Sequence, residues 1–425
     1  MPNFDVVVLG GGTIGLAAAY HAAARNLKVA LLDQYDVPNQ AGSSRGLERM
    51  FRIMYSQPER VRLVESSYAL WHEMEDSVGR KILAEQDLLF FGHWEGPPGF
   101  EGSIKAIKQS MDELGIPYDV LGAPADIAKR YPIFNAGSMS PDYVGLVQNN
   151  GTTINVQASF DTIIELAQKT NNLTIASGSR VTSVQQISAT WYVTAVDTHG
   201  AQTYQSNYLI LCPGIWLDSI LPYVGLQTWK GSPAPWSIWQ MTLAYFPVPA
   251  GRTDHWPIWY EFGNLLPTDQ KLFYGFPDVS FTPETAGKMK ISADFTNTIV
   301  ADPAKLDNQP DPKIVAAIQA HLRSLYLPGV VDIEGATLVQ ACPYSMSPDG
   351  DLVLGRIPRA PVTPSYWPNA SMCCMASGRG FKYTPLFGRI LVELAVDGET
   401  SYAGDIQDFR PIRPNIFQSA AIPPG

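Results

Sequence analysis

The chain has 425 residues, of which 45% are hydrophobic and 16% are charged, against about 25% charged in an average soluble protein. This composition excludes a largely disordered chain, which would combine low hydrophobicity with high net charge. The formal net charge of -10 and the lack of any basic run longer than a pair exclude nucleic acid and an anionic membrane as main partners. We therefore expect a globular protein that binds a small molecule between two domains.

The start of the chain and the cysteines indicate where the protein works. Residues 1–5 carry an acid instead of the basic residues that open a signal peptide, and no stretch reaches the ~18 apolar residues of a membrane span. Four scattered cysteines are too few for a disulfide framework or a metal site; they are Cys212, Cys342, Cys373 and Cys374. The prediction is a soluble cytoplasmic protein in a reducing compartment.

The first predicted element is a nucleotide-binding βαβ unit. It consists of a β-branched strand over 4–9, an alanine-rich helix over 16–25 and a second strand over 28–32 that ends at Asp33. In the GxGxxG spacing, Gly10 makes the turn, Gly12 admits a pyrophosphate, and Gly15 lets the helix pack on the strand. Asp33 is placed to accept from ribose hydroxyls, which disfavours NADP but does not separate FAD from NAD. The alternative is a simple glycine turn in an α/β protein.

Further elements follow in chain order after a polar segment over 42–52, which we expect to line an anionic group. Apolar spacing predicts helices over 60–78, 102–114, 155–170, 311–326 and 383–396, and strands over 87–91, 173–176, 181–184, 192–196 and 208–212. The pattern predicts a mixed α/β fold in which later strands return to the first sheet.

Tryptophans concentrate between these elements. Five of the ten lie between positions 229 and 259; they are Trp229, Trp236, Trp239, Trp256 and Trp259. One interpretation is a well-packed antiparallel sheet, and the other is a sheet whose face forms an aromatic substrate pocket.

Three C-terminal segments, taken with the start of the chain, resemble a known family. They are residues 340–349 with Cys342 and Tyr344, residues 352–355, and residues 376–383 with the run Gly378-Arg379-Gly380-Phe381-Lys382. Over nearly its whole length the chain is similar to the monomeric sarcosine oxidase and fructosyl amino acid oxidase (amadoriase) family of FAD-dependent amine oxidases, in the D-amino acid oxidase group. The family also has a Gly-Ser segment with two arginines, which are here Arg49 and Arg52.

This resemblance implies an α/β fold with two domains. A Rossmann-like FAD-binding domain is expected over 1–85, 150–225 and 335–415. A second domain with a mostly antiparallel sheet is expected over 86–149 and 226–334, and the flavin ring lies at the border between the two.

The resemblance also implies which residues hold FAD. They are Gly10, Gly12, Gly15, Asp33, Ser43, Arg49, Val181, Cys342, Gly378, Gly380, Phe381 and Lys382. Cys342 matches the cysteine that carries the flavin 8α-methyl, and a thiolate near Arg49 can add to that electrophilic carbon. The alternative for Cys342 is a buried structural thiol, the interpretation we adopt for the other three cysteines.

Lys382 has support from its local sequence as well. Gly378 to Lys382 form a glycine loop before the helix predicted over 383–396, so a helix N-terminus would stabilise the anionic reduced flavin. By resemblance, Lys382 and Arg52 bind the substrate carboxylate and Tyr344 lines the same cavity. A surface lysine is the alternative.

A further lysine is predicted to promote the reaction with oxygen. The run over 271–277, which contains Tyr274, resembles the family strand that faces the flavin, and a lysine follows it. The resemblance implies an oxygen-activating lysine within residues 287–291, and we assign that role to Lys290. A cation sheltered from water favours electron transfer to O2. Lys288 lies two positions away on the same face of the strand, so a shift in register would exchange the two, and an exposed lysine is the other alternative.

The predicted function is oxidation of a secondary amine in an N-substituted or cyclic amino acid by a monomeric flavoprotein. Hydride transfer to flavin N5 would give an imine, with O2 reduced to H2O2 and with Lys290, Arg49 and Tyr344 as catalytic residues. Tyr274 and Asp294 join Arg52 and Lys382 as predicted substrate contacts, and Asp294 would favour a substrate bulkier than N-methylglycine. The alternatives are a flavin dehydrogenase, a biosynthetic tailoring oxidase acting on a ring amine, and a flavin redox sensor without turnover.

Overall fold

The computed structural model describes residues 1–96, 101–232, 234–252, 255–263 and 272–423. Lys271, the first residue of the run predicted to face the flavin, lies outside these described residues. Within them, no helix combines the length and the hydrophobicity that crossing a membrane requires.

The described residues form twenty strands and eight α-helices. The strands are β1 Asn3–Leu9, β2 Val29–Leu32, β3 Glu48–Phe51, β4 Leu83–His93, β5 Asp119–Leu121, β6 Tyr143–Asn155, β7 Leu173–Ala176, β8 Arg180–Ile187, β9 Thr190–Asp197, β10 Gly200–Leu211, β11 Leu226–Thr228, β12 Ser237–Pro247, β13 Ile258–Phe262, β14 Phe273–Phe276, β15 Lys288–Ala293, β16 Ile299–Val300, β17 Thr337–Met346, β18 Val353–Ala360, β19 Thr363–Cys374 and β20 Phe417–Ser419. The helices are α1 Thr13–Ala24, α2 Pro58–Val78, α3 Ile104–Leu114, α4 Pro124–Arg130, α5 Val156–Lys169, α6 Leu217–Ile220, α7 Pro312–Leu325 and α8 Thr384–Val392.

The helix ends follow from local capping. The Asn155 side chain accepts from the amide of Ala158 at the start of α5, and Asp311 accepts from the amide of Lys313 at the start of α7. The helix predicted over 383–396 is α-helical only to Val392, because residues Glu393–Asp397 form a π-helical turn that ends at Gly398.

The first sheet has the strand order β18-β19-β10-β1-β2-β7, and β9 joins the antiparallel β8 to β10. Strand β1 runs parallel to both β2 and β10. Its Val6 and Val8 pack with Leu16 of α1 on one face, while Val7 and Leu9 are buried in a separate cluster on the other. A parallel sheet covered on both faces needs apolar residues at every position, which is why this strand reads as a continuous hydrophobic run.

The second sheet has ten strands in the order β16-β12-β15-β14-β13-β4-β6-β3, with β17 paired to β12 and β5 paired to β6. Its neighbours are antiparallel except for β13 and β4, which run parallel. One face packs against α7 through Ile314, Ile318 and Leu322. Side chains on the opposite face of this second sheet point toward the first sheet.

Two strands of the second sheet come from parts of the chain that were predicted to belong to the FAD-binding domain. Strands β3 and β17 fall within the ranges predicted for the FAD-binding domain, yet both belong to the second sheet. Each carries a residue predicted to touch the flavin, Arg49 on β3 and Cys342 on β17. The predicted domain boundaries themselves stay a prediction.

Candidate active site

The turn between β1 and α1 leaves no room for side chains. A Cβ atom on Gly10 would lie 2.1 Å from the carbonyl oxygen of Cys212, and one on Gly15 would lie 1.9 Å from the carbonyl oxygen of Gly10. Gly10 also has a φ of 103°, which L-residues rarely adopt. Gly12 faces Ser44, whose hydroxyl oxygen would lie 3.2 Å from such a Cβ. The turn therefore exposes backbone amides at the N-terminus of α1, a suitable cradle for phosphate.

Asp33 follows β2 at the carboxyl edge of the first sheet. One carboxylate oxygen accepts from the amide of Gly11 at 2.6 Å and the other from the amide of Tyr35 at 2.8 Å. Burial raises the pKa of this carboxyl group, although both amide bonds act in the opposite direction. The acid thus borders the glycine turn, in keeping with its predicted contact with a ribose.

A cavity of about 390 Å³ extends from this turn to Arg49, Tyr344 and Phe381. The predicted cofactor residues that line it are Gly10, Gly12, Gly15, Asp33, Ser43, Arg49, Val181, Gly378, Gly380 and Phe381. The other two, Cys342 and Lys382, line a neighbouring cavity of about 90 Å³. Arg49, Tyr344, Gly378 and Phe381 line both cavities, so the two adjoin at these residues. An elongated cavity with a glycine cradle at one end has the shape and chemistry that a dinucleotide such as FAD requires.

The smaller cavity brings together the residues predicted for catalysis and substrate binding. Its lining includes Lys290, Arg49, Tyr344, Arg52, Lys382, Tyr274 and Asp294, together with Cys342. These residues lie on β3, β14, β15 and β17, directly after β3 and β15, and in the segment between β19 and α8. The clustering supports the predicted roles, because the sequence separates these residues by up to 333 positions.

Cys342 lies on β17, opposite Met241 of β12, and its side chain is buried. Its Sγ accepts from Nη2 of Arg49 at 3.7 Å and lies 3.8 Å from the carbonyl oxygen of Ser43. All four cysteines are free thiols. Burial raises the pKa of Cys212 to about 12 and also raises the pKa of Cys373 and Cys374, which fits the structural role predicted for these three.

Lys290 lies in the middle of β15 and is 3% exposed. Its Nζ donates to the backbone carbonyl oxygen of Glu48 at 2.8 Å and lies 4.5 Å from the ring centre of Phe276. Burial, followed by the charge of Arg49, lowers the pKa of Lys290 to about 7. Lys288 instead lies at the start of the strand, and its Nζ donates to the carbonyl oxygen of Glu284, away from the cavity lining. Between the two lysines, the geometry favours Lys290 for the oxygen role.

Arg52 has an aromatic enclosure. Its guanidinium carbon lies 4.4 Å from the ring centre of Tyr55, 5.4 Å from that of Phe90 and 5.6 Å from that of Tyr260. Nη2 forms an ion pair with Glu101, whereas Nη1 is buried without a hydrogen-bond acceptor among the described residues. A buried guanidinium with a spare donor can bind an incoming carboxylate.

Hydrogen bonds fix both the backbone and the side chain of Lys382. Its carbonyl oxygen accepts from the hydroxyl of Ser67 at 2.6 Å and from Nε1 of Trp71 at 3.0 Å. Its Nζ donates to the carbonyl oxygen of Arg379 at 3.0 Å, and burial lowers its pKa to about 8. The side chain is 6% exposed, which is incompatible with the alternative of a surface lysine.

Tyrosines connect the two sides of the smaller cavity. The hydroxyl of Tyr260 donates to a carboxylate oxygen of Asp294 at 2.5 Å, and the rings of Tyr260 and Tyr274 stack with centres 5.6 Å apart. The hydroxyl groups of Tyr274 and Tyr344 lie 3.5 Å apart. Asp294 therefore borders the cavity instead of facing bulk solvent.

Trp236 and Trp259 are buried in the core, whereas Trp229, Trp239 and Trp256 are half-buried, and the structure gives no support to a substrate pocket formed by these tryptophans. Nε1 of Trp259 donates to the hydroxyl of Tyr326 at 2.7 Å, and Nε1 of Trp236 donates to the hydroxyl of Ser345 at 3.1 Å. None of the five tryptophans is among the described residues that line the smaller cavity. The aromatic residues that line it are Tyr260, Tyr274, Phe276, Tyr344 and Phe381.

Sequence reasoning missed three residues at this site. Tyr55 and Tyr260 enclose Arg52, and Glu101 forms ion pairs with both Arg52 and Arg379. Tyr55 follows Arg52 by three positions, a local signal that could have been used. Glu101 and Tyr260 carry no such signal, because only the folded chain brings them to the arginine.

Several known proteins resemble this chain in sequence and in fold. The monomeric sarcosine oxidase of Streptomyces avermitilis is 28% identical over 412 residues, which cover 94% of this chain and 96% of that protein. The open form of NikD, an unusual amino acid oxidase essential for nikkomycin biosynthesis, superposes with a TM-score of 0.81 at 29% identity and covers 99% of this chain and 98% of that one. Amadoriase I from Aspergillus fumigatus has the same fold, with a TM-score of 0.69 at 15% identity over 97% of this chain and 90% of that one.

These likenesses confirm the predicted fold class and the predicted family resemblance. The model of the family described as FAD dependent oxidoreductase (DAO) matches residues 5–394, which includes both sheets and both cavities. The chain thus belongs to the family of FAD-dependent oxidoreductases, and it is an enzyme of that class.

Proposed function

We propose that this protein oxidises the secondary amine of an N-substituted or cyclic amino acid. One observation carries the proposal: a cavity with buried Arg52 and Lys382 adjoins the cofactor cavity at Arg49 and Tyr344. Of these two buried cations only Arg52 is paired with a carboxylate of the described residues, so the site still calls for an anionic ligand. An amino acid brings a carboxylate beside an oxidisable C–N bond. The sarcosine oxidase and NikD relatives support an amino acid as the substrate.

The residues present fit FAD. Gly10, Gly12 and Gly15 leave space for a pyrophosphate, and Asp33 lies where a ribose would follow. The chemistry that FAD supplies when bound is two-electron oxidation of the C–H bond next to the amine nitrogen, to an imine, with O2 reduced to H2O2. We propose Cys342 as the covalent attachment point, which its contact with the Arg49 guanidinium at 3.7 Å supports.

The chain's own side chains bind and orient the substrate. Nη1 of Arg52 and Nζ of Lys382 hold the carboxylate, and the hydroxyl of Tyr55, which lacks an acceptor among the described residues, is available to donate to it. Tyr274 and Tyr344 then line the space for the amine. No strong base is required, because the hydride would leave from the carbon next to the nitrogen of a neutral amine.

Asp294 supports a preference for a larger amine. Its carboxylate, hydrogen-bonded to Tyr260, borders the cavity together with the stacked Tyr274 ring. Such a wall suits the ring of a cyclic amino acid, or a substituent bearing a hydroxyl or a positive charge, better than a methyl group. A ring amine is also the substrate of the alternative tailoring oxidase, which the similarity to NikD favours as a second candidate.

Lys290 supports O2 as the electron acceptor. Lys290 lines the smaller cavity and its Nζ is buried, and a cation there would stabilise the superoxide anion formed by the first electron transfer. A dehydrogenase would pass the electrons to another acceptor. We further propose that the protein is a monomer and that it works in the cytoplasm. The four free thiols support the cytoplasm, which is a reducing compartment.

Anaerobic titration of the purified flavoprotein with N-methylglycine, pipecolate and fructosyl amino acids tests the proposal. Bleaching of the flavin by at least one of these amines, with a larger amine acting better than N-methylglycine, is the expected result. Mixing the reduced protein with O2 in a stopped-flow instrument then separates an oxidase from a dehydrogenase. A flavin that no amine reduces would refute the proposal and would favour a redox sensor.

A further inference from the structure

A carboxylate of the chain itself already occupies the cationic end of the substrate cavity. One oxygen of Glu101 forms an ion pair with Nη2 of Arg52, and the other accepts from Nε of Arg379 at 3.0 Å. The Glu101 side chain is 10% exposed, and the side chains of the two arginines are 5% and 7% exposed. We infer that Glu101 is an internal competitor of the substrate carboxylate for Arg52, and that it sets the affinity of the site for anionic substrates.

The inference rests on the proposed function, in which Arg52 binds the substrate. Among the described residues, Nη1 of Arg52 has no hydrogen-bond acceptor, while Nη2 is paired with Glu101. A substrate carboxylate bound at Nη1 would share one guanidinium with Glu101. Two carboxylates on the same guanidinium lie close together and repel each other. The substrate must therefore displace Glu101 from Arg52 or bind against its charge, and both weaken binding.

The second arginine gives Glu101 a place to remain. Arg379 also donates through Nη1 to the carbonyl oxygen of Gly350 at 2.7 Å, so its guanidinium is held apart from Arg52. Glu101 can release Arg52 and keep its contact with Arg379, without leaving its charge buried and unpaired. This arrangement makes an exchange at Arg52 less costly than breaking an isolated buried ion pair.

The other acid of the cavity differs in this respect. Asp294 is hydrogen-bonded to the hydroxyl of Tyr260 at 2.5 Å, and no ion pair joins it to an arginine or a lysine among the described residues. The competition for Arg52 is therefore specific to Glu101. It limits how tightly a carboxylate binds and opposes a substrate with a second negative charge near Arg52.

The experiment uses the holoenzyme and two ring compounds of the same shape, tetrahydrofuran-2-carboxylate and tetrahydrofuran-2-carboxamide, neither of which has an amine to oxidise. Binding is followed by the change in flavin absorbance. Glu101→Gln should bind the carboxylate about tenfold more tightly than the unmodified protein, because one nearby negative charge is removed, and should bind the carboxamide equally well. Glu95→Gln is the matched control, since Glu95 pairs with Lys105 at 2.9 Å and is 71% exposed, and it should change neither constant.

Glu101→Asp provides a second variant that keeps the charge. Its shorter side chain should weaken the contact with Arg52 and give an intermediate affinity for the carboxylate. If Glu101→Gln binds the carboxylate as weakly as the unmodified protein does, or more weakly, Glu101 does not compete and instead positions Arg52. If the unmodified protein itself does not prefer the carboxylate to the carboxamide, the carboxylate site fails, and with it the proposed function.

Discussion

Lys382 is the cation at the carboxylate site whose charge should change within the usual range of assay pH. Burial lowers its pKa to about 8. The neighbouring hydroxyl of Tyr55 is also affected: burial raises its pKa, but the charges of Arg52 and Lys382 outweigh this and lower the pKa to about 7. As the pH rises, Tyr55 gains a negative charge and Lys382 loses its positive charge. Both changes weaken binding of a carboxylate. The dissociation constant of the carboxylate should therefore rise as the pH increases past the pKa of Tyr55 and then past that of Lys382.

The size of the effect follows from the contact that is lost. A hydrogen bond to a charged group contributes about 1.5 to 3 kcal/mol, which corresponds to about a 10- to 160-fold change in the dissociation constant. Lys382→Met keeps the apolar stem but removes the charge. At low pH this variant should bind tetrahydrofuran-2-carboxylate more weakly by that factor, and it should lose the alkaline part of the pH dependence.

The assay is spectrophotometric titration of the flavin with the carboxylate from about pH 6 to about pH 10, with the carboxamide as the uncharged reference. Tyr55→Phe should remove the Tyr55 ionisation and move the Lys382 ionisation to lower pH, because Tyr55 raises the pKa of Lys382. Lys81→Met, which changes a lysine that is 65% exposed, should behave as the unmodified protein does. A Lys382→Met variant with the same dissociation constant and the same pH profile as the unmodified protein would show that this lysine does not bind the carboxylate.

Three further predictions concern the cofactor, oxygen and the substrate. Acid precipitation should leave the yellow colour in the pellet, and Cys342→Ala should release it to the supernatant; colour that is released from the unmodified protein contradicts the covalent link. Lys290→Met should slow reoxidation by O2 far more than anaerobic reduction, whereas Lys288→Met should change neither rate. If the two variants are reoxidised by O2 at the same rate, Lys290 does not have the oxygen role. Asp294→Asn should reduce the preference in kcat/KM for a larger amine over N-methylglycine, and an unchanged ratio would show that Asp294 does not select the substrate.

Several features of this protein are determined by residues close together in the chain. The strand, glycine turn, helix, second strand and Asp33 follow one another within about 30 residues, so their spacing alone indicates a dinucleotide site. The cap residues Asn155 and Asp311 likewise begin helices through contacts two or three positions away. The short motifs around Arg49, Cys342 and Lys382 indicated the family, although not the contacts of these side chains.

Register had to come from the tertiary structure. Lys288 and Lys290 project from the same face of β15, and the sequence does not separate them. Pairing with β12 and β14 places Lys290 opposite Tyr245 and Phe276, in the middle of the sheet, and leaves Lys288 opposite Pro247 at the strand end. Only the central position is buried between the two sheets, and burial gives a lysine its lowered pKa.

The composition of the substrate cavity was likewise decided by the fold. Arg52 meets Glu101, Tyr260 and Lys382 only because two sheets from distant parts of the chain close over the same space. Tryptophan content suggested an aromatic pocket, yet the alternation of side chains along each strand directs Trp259 into the core and its neighbour Tyr260 toward the cavity. The sequence motifs, through the family they resemble, therefore indicated a flavin and a carboxylate, while strand pairing and side-chain direction decided which residues reach them.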